Sequence, residues 1–556
     1  KEEHMTWSLG VGNFLLGGDD SFGTVYELPK GLMLAKSLFE LGRIAEAKTA
    51  LDNLLGHKRS PEQGDIYWIA LYERGRIAER ESKPEEAIEY YRRAIEVIER
   101  LRSSIGTEAG KIGFVGDKQQ LYARMIVALF ARERHGEALE YVERSKSRAL
   151  VDMLASKKDF AVRGPDAART RTILAQIDSA DLESRVQGLA AKPADSMRSL
   201  QVSQADLSST APELSSLVTV TSASSEELRR LIAADENLLE YYYDGDDLFC
   251  FIANKDGIRA IKLDGAGLAA AVRRLRTEIE SPQSDRYQVS AKALYQRLIQ
   301  PVESVLTARK LLIVAHGALH YLPFNALQRE DGSHLLDHYS VRHLPSASVL
   351  KFLRPPRPDQ QAGMLVFGNP DLNDRSLDLA FAEDEARAIT ALFRDSKVLV
   401  RQNASETNFK EAAPLFRRIH LATHGKFLAD SPLDSGLYLA RDAANDGLLR
   451  VSELYSMSLD ADLVTLSACE TGLGKVNNGD DVVGLTRGFL YAGSRSIVAS
   501  LWSVDDQATA ALMKAFYTNL AGMNKQEALR QAQIKARQNF PHPFYWAAFQ
   551  LTGRAE

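Results

Sequence analysis

The first third of the sequence repeats a pattern of small and bulky apolar positions. In each copy a small residue and a turn precede a Glu-Ala pair, and these pairs lie at 46–47, 86–87 and 137–138. Bulky apolar residues follow at three- and four-residue spacing, as on the buried side of a helix. Small residues are needed where paired helices approach closely. The pattern predicts helical hairpins over residues 27–150, with a plain helical bundle as the alternative.

Beyond residue 150 the pattern changes twice. Residues 151–234 are predicted to connect two domains through a helical stretch and a serine-rich segment, which holds ten serines between 196 and 225. Short apolar runs separated by Asp-Gly turns then predict a hairpin meander at 238–252. After the meander, strands and helices alternate, which predicts an α/β fold with a mostly parallel sheet and helices on both faces. The predicted strands are 311–315, 364–367, 398–400, 419–423, 463–467 and 497–501, and the main helices are 383–393, 507–520 and 525–539.

A chain of 556 residues is too long for one hydrophobic core, so several domains are expected. The changes of pattern predict helical repeats at 1–150, a connecting region at 151–234, a companion α/β subdomain at 235–360 and a catalytic subdomain at 361–556. The formal charge of −5 is small for this length and does not favour nucleic acid or an anionic membrane surface as a partner.

The apolar run from Trp7 to Leu16 is broken by polar residues and glycines and is not a signal peptide. No stretch reaches the roughly 20 apolar residues that a membrane-spanning helix needs. We therefore expect a cytoplasmic protein, in which the two cysteines, Cys250 and Cys469, remain thiols. Cys250 lies among aromatic and β-branched residues of the meander and is predicted to be a buried, inert core residue.

Two predicted strands end in groups suited to nucleophilic catalysis. His424 and Gly425 follow the strand at 419–423, and Cys469 follows the strand at 463–467. In parallel sheets, chemistry collects at the carboxyl ends of the strands. A thiol is mostly protonated at neutral pH, so it needs a nearby imidazole to become a nucleophile. We predict that His424 activates Cys469, and that the backbone N–H groups of Gly425 and Cys469 form an oxyanion hole.

The other histidines do not predict a metal site. His420 shares the strand face of His424 and is predicted to be a core histidine rather than a group that orients His424. The remaining histidines of the α/β region are not grouped with cysteine or carboxylate at metal-ligand spacing, so no zinc site and no cofactor are expected. These residues are His316, His320, His334, His338 and His343.

Several separated motifs resemble the CHAT family, which comprises bacterial caspase-like and separase-like proteases. These proteases are commonly found behind tetratricopeptide repeats, and the N-terminal pattern of this chain resembles such repeats. The motifs are His316-Gly-Ala-Leu-His-Tyr-Leu-Pro-Phe-Asn-Ala-Leu327, Leu344-Pro-Ser-Ala347, Gly368-Asn-Pro370, His420-Leu-Ala-Thr-His-Gly425, Ser467-Ala-Cys-Glu-Thr-Gly472, Ala499-Ser-Leu-Trp-Ser-Val-Asp-Asp506 and Phe544-Tyr-Trp-Ala-Ala-Phe549. The resemblance spans about residues 230–552. It implies a caspase-like fold, a catalytic dyad of His424 and Cys469, and a companion subdomain without a dyad of its own.

The resemblance also suggests a substrate pocket. Asp505 and Asp506 follow Trp502, and in separase an acid after this tryptophan lines the pocket for the residue before the cut. By that alignment Asp506 is the counterpart, which implies cleavage after Arg or Lys. The alternative is that Ser503 or Asp505 caps the following helix and Asp506 is a first-turn acid favoured by the helix dipole.

Two functions follow as hypotheses. The first is a regulated cysteine endopeptidase that cleaves a protein substrate and is restrained by the repeats until a regulatory protein binds them. The second is a catalytically silent scaffold, in which the repeats bind a partner and the caspase-like half packs beside them. The presence of both His424 and Cys469 favours the endopeptidase.

Overall fold

The computed structural model describes residues 20–100, 115–155, 223–351, 353, 363–379, 381–426, 428, 434–454, 457–467 and 484–556. The described residues form a helical unit up to residue 155 and an α/β unit from residue 223. Most of the serine-rich segment, residues 196–222, lies outside the described residues. The boundaries predicted for the connecting region and for the two α/β subdomains stay predictions.

Three helical hairpins make up the described helical unit. Each second helix carries a glutamate of a Glu-Ala pair in its first turn, where the helix dipole favours an acid. The alanines of these pairs, Ala47, Ala87 and Ala138, are fully buried. The repeated hairpins predicted from the sequence are therefore present. Their helices are α1 (Asp20–Glu40), α2 (Ile44–Gly56), α3 (Gly64–Arg80), α4 (Pro84–Arg100), α5 (Val115–Ala131) and α6 (His135–Ala155).

The turns between the paired helices have one geometry. Gly42, Ser82 and Glu133 occupy equivalent positions with φ of 75°, 58° and 58°. In each turn the next N–H returns to a carbonyl five residues earlier, as in a Schellman C-cap. Only the first turn uses the glycine that this left-handed conformation favours.

Close packing of α3 on α4 explains one small residue of the pattern. A Cβ placed on Gly75 would lie 2.4 Å from the ring of Tyr91, which is fully buried. Gly75 therefore creates the space that the aromatic ring of the next helix fills, and a larger residue would separate the hairpin.

An eleven-stranded sheet forms the centre of the α/β unit, in the order β3-β2-β1-β4-β5-β14-β13-β12-β8-β6-β7. Neighbouring strands are parallel except for the pairs β1–β2, β2–β3 and β13–β14. The predicted fold class, helical repeats followed by a mostly parallel sheet with packed helices, is confirmed. The strands of this sheet are β1 (Glu236–Asp244), β2 (Asp247–Asn254), β3 (Gly257–Asp264), β4 (Lys310–Val314), β5 (Ser340–Leu344), β6 (Met364–Pro370), β7 (Lys397–Arg401), β8 (Arg418–Ala422), β12 (Leu463–Ser467), β13 (Ser496–Ser500) and β14 (Phe549–Gly553).

A second, three-stranded sheet lies between β8 and β12 in the chain. Its strands β9 (Gly425–Lys426), β10 (Gly436–Tyr438) and β11 (Leu448–Arg450) are antiparallel, with β10 in the middle. The strands are too short for an alternating pattern to show, and the sequence did not predict them.

Ten helices accompany the sheets in the described part of the α/β unit. Ser224, near the end of the serine-rich segment, opens the first of them with a capping box shared with Glu227. The helices are α7 (Ser225–Leu231), α8 (Leu268–Ile279), α9 (Tyr287–Leu298), α10 (Leu335–His338), α11 (Ala382–Thr390), α12 (Glu406–Ala412), α13 (Val451–Leu454), α14 (Gly484–Tyr491), α15 (Asp506–Asn519) and α16 (Lys525–Asn539).

The predicted companion and catalytic regions share this one sheet. Strand β14, from the end of the α/β unit, lies between β5 and β13 and joins strands β1–β5 to the rest. A single cluster of buried apolar side chains runs through both regions. Cys250 belongs to this cluster and is fully buried, as predicted.

Candidate active site

Strands β8 and β12 end side by side at one edge of the sheet. They run parallel, and Ala422 is paired with Ser467 at the last position of their register. His424 follows Ala422 by two residues, and Cys469 follows Ser467 by two residues in the sequence. Cys469 lies outside the described residues. The structure thus brings together the strands that lead to both members of the predicted dyad, and the dyad itself stays a prediction.

The ring of His424 is held by a backbone carbonyl. Its Nε2 atom lies 2.7 Å from the carbonyl oxygen of Leu377. A carbonyl oxygen only accepts hydrogen bonds, so Nε2 carries the ring proton. In the neutral ring the other nitrogen, Nδ1, is then an acceptor. This tautomer is the one that takes a proton from a thiol at Nδ1.

The loop that supplies this carbonyl follows β6 and is fixed by Asn369. Asn369 has a φ of 47°, and its Oδ1 atom accepts a hydrogen bond from the Leu379 N–H at 2.9 Å. Its Nδ2 atom donates to Glu383 Oε1 at 3.2 Å. Asparagine tolerates this left-handed conformation better than most residues. One side chain therefore ties the start of the loop to its end, beyond Leu377.

The segment after His424 is held by the three-stranded sheet. The Tyr438 N–H donates to the His424 carbonyl at 2.9 Å, and the Thr423 hydroxyl donates to the Tyr438 carbonyl. Gly425 faces Leu437 across this pair of strands. With the hydrogen bond at the flanking position, Gly425 and Leu437 are a non-hydrogen-bonded pair, so the Gly425 N–H is directed away from β10. Its role as an oxyanion donor stays a prediction.

Asp505 and Asp506 open helix α15. Asp505 is its N-cap and accepts a hydrogen bond from the Ala508 N–H at 2.9 Å, which explains Asp505 without a substrate. Asp506 is the first helical residue and is partly buried. Burial raises the pKa of Asp506, as do the charges of Asp505 and Glu385, whereas the charge of His424 lowers it. Asp506 therefore lies within the electrostatic reach of His424, and its contact with a substrate stays a prediction.

His420 is a core histidine with a polar side chain close to each ring nitrogen. It is fully buried. Its Nδ1 atom lies 3.0 Å from the Tyr517 hydroxyl, and its Nε2 atom lies 3.1 Å from Glu385 Oε1. The prediction that His420 lies in the core is confirmed, but its Nε2 atom makes no hydrogen bond of good geometry, so the ring is not fully satisfied.

Metal-ligand clusters and membrane-spanning helices are absent from the described residues. Within the ranges that the structure describes, no three His, Cys, Asp or Glu side chains converge as metal ligands. Among the helices in those ranges, none is both long enough and apolar enough to cross a membrane.

Two groups that contact the β8 and β12 segments were not predicted from the sequence. The carbonyl of Leu377 is a backbone atom, and the residue type gives no signal of its role. Glu385 did leave a signal, because Ala382, Ala386 and Ile389 mark the buried side of α11 and Glu385 falls on the same side. A buried glutamate on an apolar helix face is rare unless it is paired.

Two curated relatives share sequence with this chain. Tetratricopeptide repeat protein 28 of Homo sapiens is 27% identical over 321 residues, which cover 47% of this chain and 13% of the relative. The Mus musculus protein of the same name matches with the same identity and coverage. The matched region thus spans only 13% of the length of these relatives.

Among solved structures, the chain is similar to the Saccharomyces cerevisiae separase–securin complex. In one crystal structure the identity is 10% and the TM-score 0.42, with 93% of this chain and 46% of that chain covered. In a second, the identity is 9% and the TM-score 0.41, with 94% and 44% covered.

Family models match part of each unit. The CHAT domain model matches residues 288–554, which contain the end of β8 and the whole of α15. A tetratricopeptide repeat model matches residues 32–101, within the first two helical hairpins. Both matches fall where the sequence motifs predicted them. The chain therefore carries a CHAT domain behind tetratricopeptide repeats.

Proposed function

We propose that the protein is a cysteine endopeptidase in which Cys469 is the nucleophile and His424 is the general base. The observation that carries the proposal is the position of His424. His424 follows β8, and the neighbouring strand β12 leads to Cys469. The Nε2–H of His424 donates a hydrogen bond to the Leu377 carbonyl, so Nδ1 can accept a proton. This arrangement supplies the base that a thiol nucleophile requires.

The proposed reaction needs only groups of this chain and water. His424 Nδ1 takes the thiol proton of Cys469, and the thiolate attacks the carbonyl carbon of the scissile bond. The N–H groups of Gly425 and Cys469 stabilise the tetrahedral oxyanion. His424 then gives its proton to the leaving amine as the C–N bond breaks, and water hydrolyses the thioester to release the acid and restore the thiol.

We propose further that cleavage follows a basic residue. Asp506 is partly buried and lies within electrostatic range of His424, which supports a role for its carboxylate near the proposed dyad. A carboxylate in a closed pocket favours a cationic side chain and disfavours an acidic one, since unpaired buried charges are costly. Asp505 is already engaged as a helix cap, so Asp506 is the residue on which this specificity depends.

The tetratricopeptide repeats are proposed to restrain this activity until a regulatory protein binds them. Repeat arrays bind peptides or helices of other proteins, and the family match at 32–101 assigns such an array to this chain. We propose the cytoplasm as the compartment, where the Cys469 thiol stays reduced.

An electrophilic peptide probe tests the proposal. A peptide ketone with arginine next to the reactive group is added to the full chain, and labelled cysteines are identified by mass spectrometry. We expect fast labelling of Cys469 that is lost in His424→Ala, together with cleaved protein substrates that are absent with Cys469→Ala. Equally slow labelling of Cys469 in the native and the denatured chain would instead support the silent scaffold.

A further inference from the structure

Polar side chains occupy the face of β8 and β12 beneath the proposed dyad. His420 and Thr465 are paired in register, and Ser467 ends β12 two residues later. All three are fully buried. His424 comes four residues after His420, an even spacing that keeps the same face along an extended chain. Cys469 comes two residues after Ser467 in the sequence. A buried polar layer therefore leads up both strands toward the dyad.

Helix α11 contributes the carboxylate that joins the two strands. Glu385 is 5% exposed. Its Oε1 atom accepts a hydrogen bond from the Ser467 hydroxyl at 2.8 Å and lies 3.1 Å from His420 Nε2. One oxygen atom thus contacts the end of β12 and the middle of β8. The same helix follows the loop that supplies the Leu377 carbonyl to His424.

Helix α15 contributes the other side of the network. The Tyr517 hydroxyl donates to Thr465 Oγ1 at 2.8 Å and lies 3.0 Å from His420 Nδ1. This helix opens with Asp506, whose charge interacts with those of His424 and Glu385. The network therefore links both strands, helix α11 and the helix that carries the proposed specificity residue.

Stability alone does not explain such a network. Burying a carboxylate, an imidazole and hydroxyl groups carries a large desolvation cost, and apolar side chains of similar volume often stabilise a core equally well. A hydrogen-bonded network does, however, hold its members in one relative position, because each unmade bond leaves a buried polar group unsatisfied.

We propose that Glu385 is a positioning residue for the dyad, which holds the ends of β8 and β12 in the register that brings His424 to Cys469. This inference rests on the proposed endopeptidase function. Glu385 touches no reacting atom and acts through Ser467 and His420. Its loss therefore lowers the rate of the chemical step and leaves substrate binding largely unchanged.

Three substitutions in the full-length chain test the inference. Ser467→Ala removes only the hydroxyl group that donates a hydrogen bond to Glu385. Glu385→Leu removes the carboxylate, whereas Glu385→Gln keeps an oxygen acceptor on a side chain of the same length. The matched control is Glu236→Gln, which breaks a buried pair with Arg342 at the start of β1, six strands from β8 in the sheet order. For each variant, kcat and KM, the labelling rate of Cys469 by iodoacetamide and the melting temperature are measured.

We expect Glu385→Leu to lower kcat by about 100-fold and to slow Cys469 labelling, because small misplacements of reacting groups have effects of this size. Ser467→Ala should lower both by about 10-fold, with KM within about 2-fold of the wild type in both variants. Glu385→Gln should retain most activity, and Glu236→Gln should lower the melting temperature without lowering kcat.

The outcomes separate the inference from the function on which it rests. If Cys469 is labelled equally fast in the wild type and in Ser467→Ala, and kcat is the same in both, the positioning role is overturned. The endopeptidase function would still stand. If Glu385→Leu does not fold, Ser467→Ala decides, since it removes one buried oxygen atom. A wild-type Cys469 that labels no faster than in the denatured chain would overturn the endopeptidase and this inference together.

Discussion

Two strand ends of the sheet carry a histidine followed by a glycine, and they are built differently. His316 and Gly317 follow β4, whereas His424 and Gly425 follow β8. The ring of His316 packs edge-on against Tyr243 with 5.6 Å between ring centroids, and its Nδ1 lies 3.4 Å from the Tyr243 backbone nitrogen. At Gly317, φ is 55° and a Cβ would lie 2.6 Å from the Tyr243 ring.

The difference lies in which ring nitrogen is engaged. A backbone N–H only donates, so Nδ1 of His316 is an acceptor that Tyr243 already occupies. The Leu377 carbonyl only accepts, so Nε2 of His424 carries the proton and Nδ1 accepts. A histidine and a glycine after a parallel strand therefore do not define a catalytic site. The backbone group that faces the ring decides whether a base is available.

The largest effect should come from replacing each of these histidines in turn. His424→Ala should lower kcat by several orders of magnitude, as loss of a dyad member typically does. His316→Ala should change kcat by less than about 3-fold, since it follows β4, which lies five strands from β8 in the sheet. The measurement is peptide cleavage with a melting curve for each variant. Equal losses of kcat in two folded variants would remove the distinction between the strand ends.

Asp506→Asn should have the next largest effect. It tests whether the site proposed at the end of β8 also selects a basic residue of the substrate. For peptides with arginine before the cut, kcat/KM should fall by about 10- to 100-fold, because a charge partner is lost. Peptides with citrulline at that position should be much less affected. An Asn variant as active as the wild type on arginine peptides would leave Asp506 as a first-turn acid only.

The pH dependence gives an independent control for Asp506. Its pKa is raised, so its carboxylate exists above the raised pKa and is neutral below it. As the pH falls, the preference for arginine over citrulline should therefore decline at a higher pH than for an ordinary aspartate. The ratio of the two kcat/KM values should not show this decline in Asp506→Asn.

Removal of residues 1–222 should raise the basal cleavage rate by about 5-fold or more if the repeats restrain the α/β unit. A segment starting at Ala223 keeps the Ala223 N–H bond to Ser348 and the Ser224 cap of α7. Cleavage rates of this segment and of the whole chain are compared at equal concentration. A segment no faster than the whole chain, with no partner that changes the rate, would exclude restraint by the repeats.

The smallest effect should come from Cys250→Ser, in the same half of the sheet as His316. Burial raises the pKa of the Cys250 thiol, which is fully inaccessible. The substitution should leave kcat unchanged and reduce the free energy of unfolding by about 1 kcal/mol, because it adds a polar group to the core. Activity and urea denaturation measure the two effects. A loss of activity in the folded variant would give Cys250 a function that its burial argues against.

The sequence predicted the long elements, including the two strands that lead to the proposed dyad, better than the groups that hold their ends. The meander, β8, β12, β13 and helices α15 and α16 all show clear apolar patterns, and their order places His424 at the correct sheet edge. Strands β5 and β14 were not predicted. Each is five residues long, and their pairing joins positions about 200 residues apart in the chain, which local patterns do not report.

For the proposed site, the sequence suggests side chains, whereas it does not report backbone groups. The roles of His424 and Asp506 were inferred from chemistry and motif. The Leu377 carbonyl depends on the path of a loop that Asn369 fixes in a left-handed conformation. Glu385 was recoverable in principle, since helical periodicity places it on the apolar side of α11.

The place of β14 in the sheet has a consequence for synthesis. Among the described strands, β14 alone joins β5 to β13, so these two regions of the sheet cannot close on one another before residues 549–553 leave the ribosome. Until then, β5 and β13 each present an open edge in the middle of the future sheet, and such edges favour aggregation. A chain interrupted before residue 549 thus lacks β14, the strand that connects the two regions of the sheet. We expect such a chain to need chaperones or to be degraded.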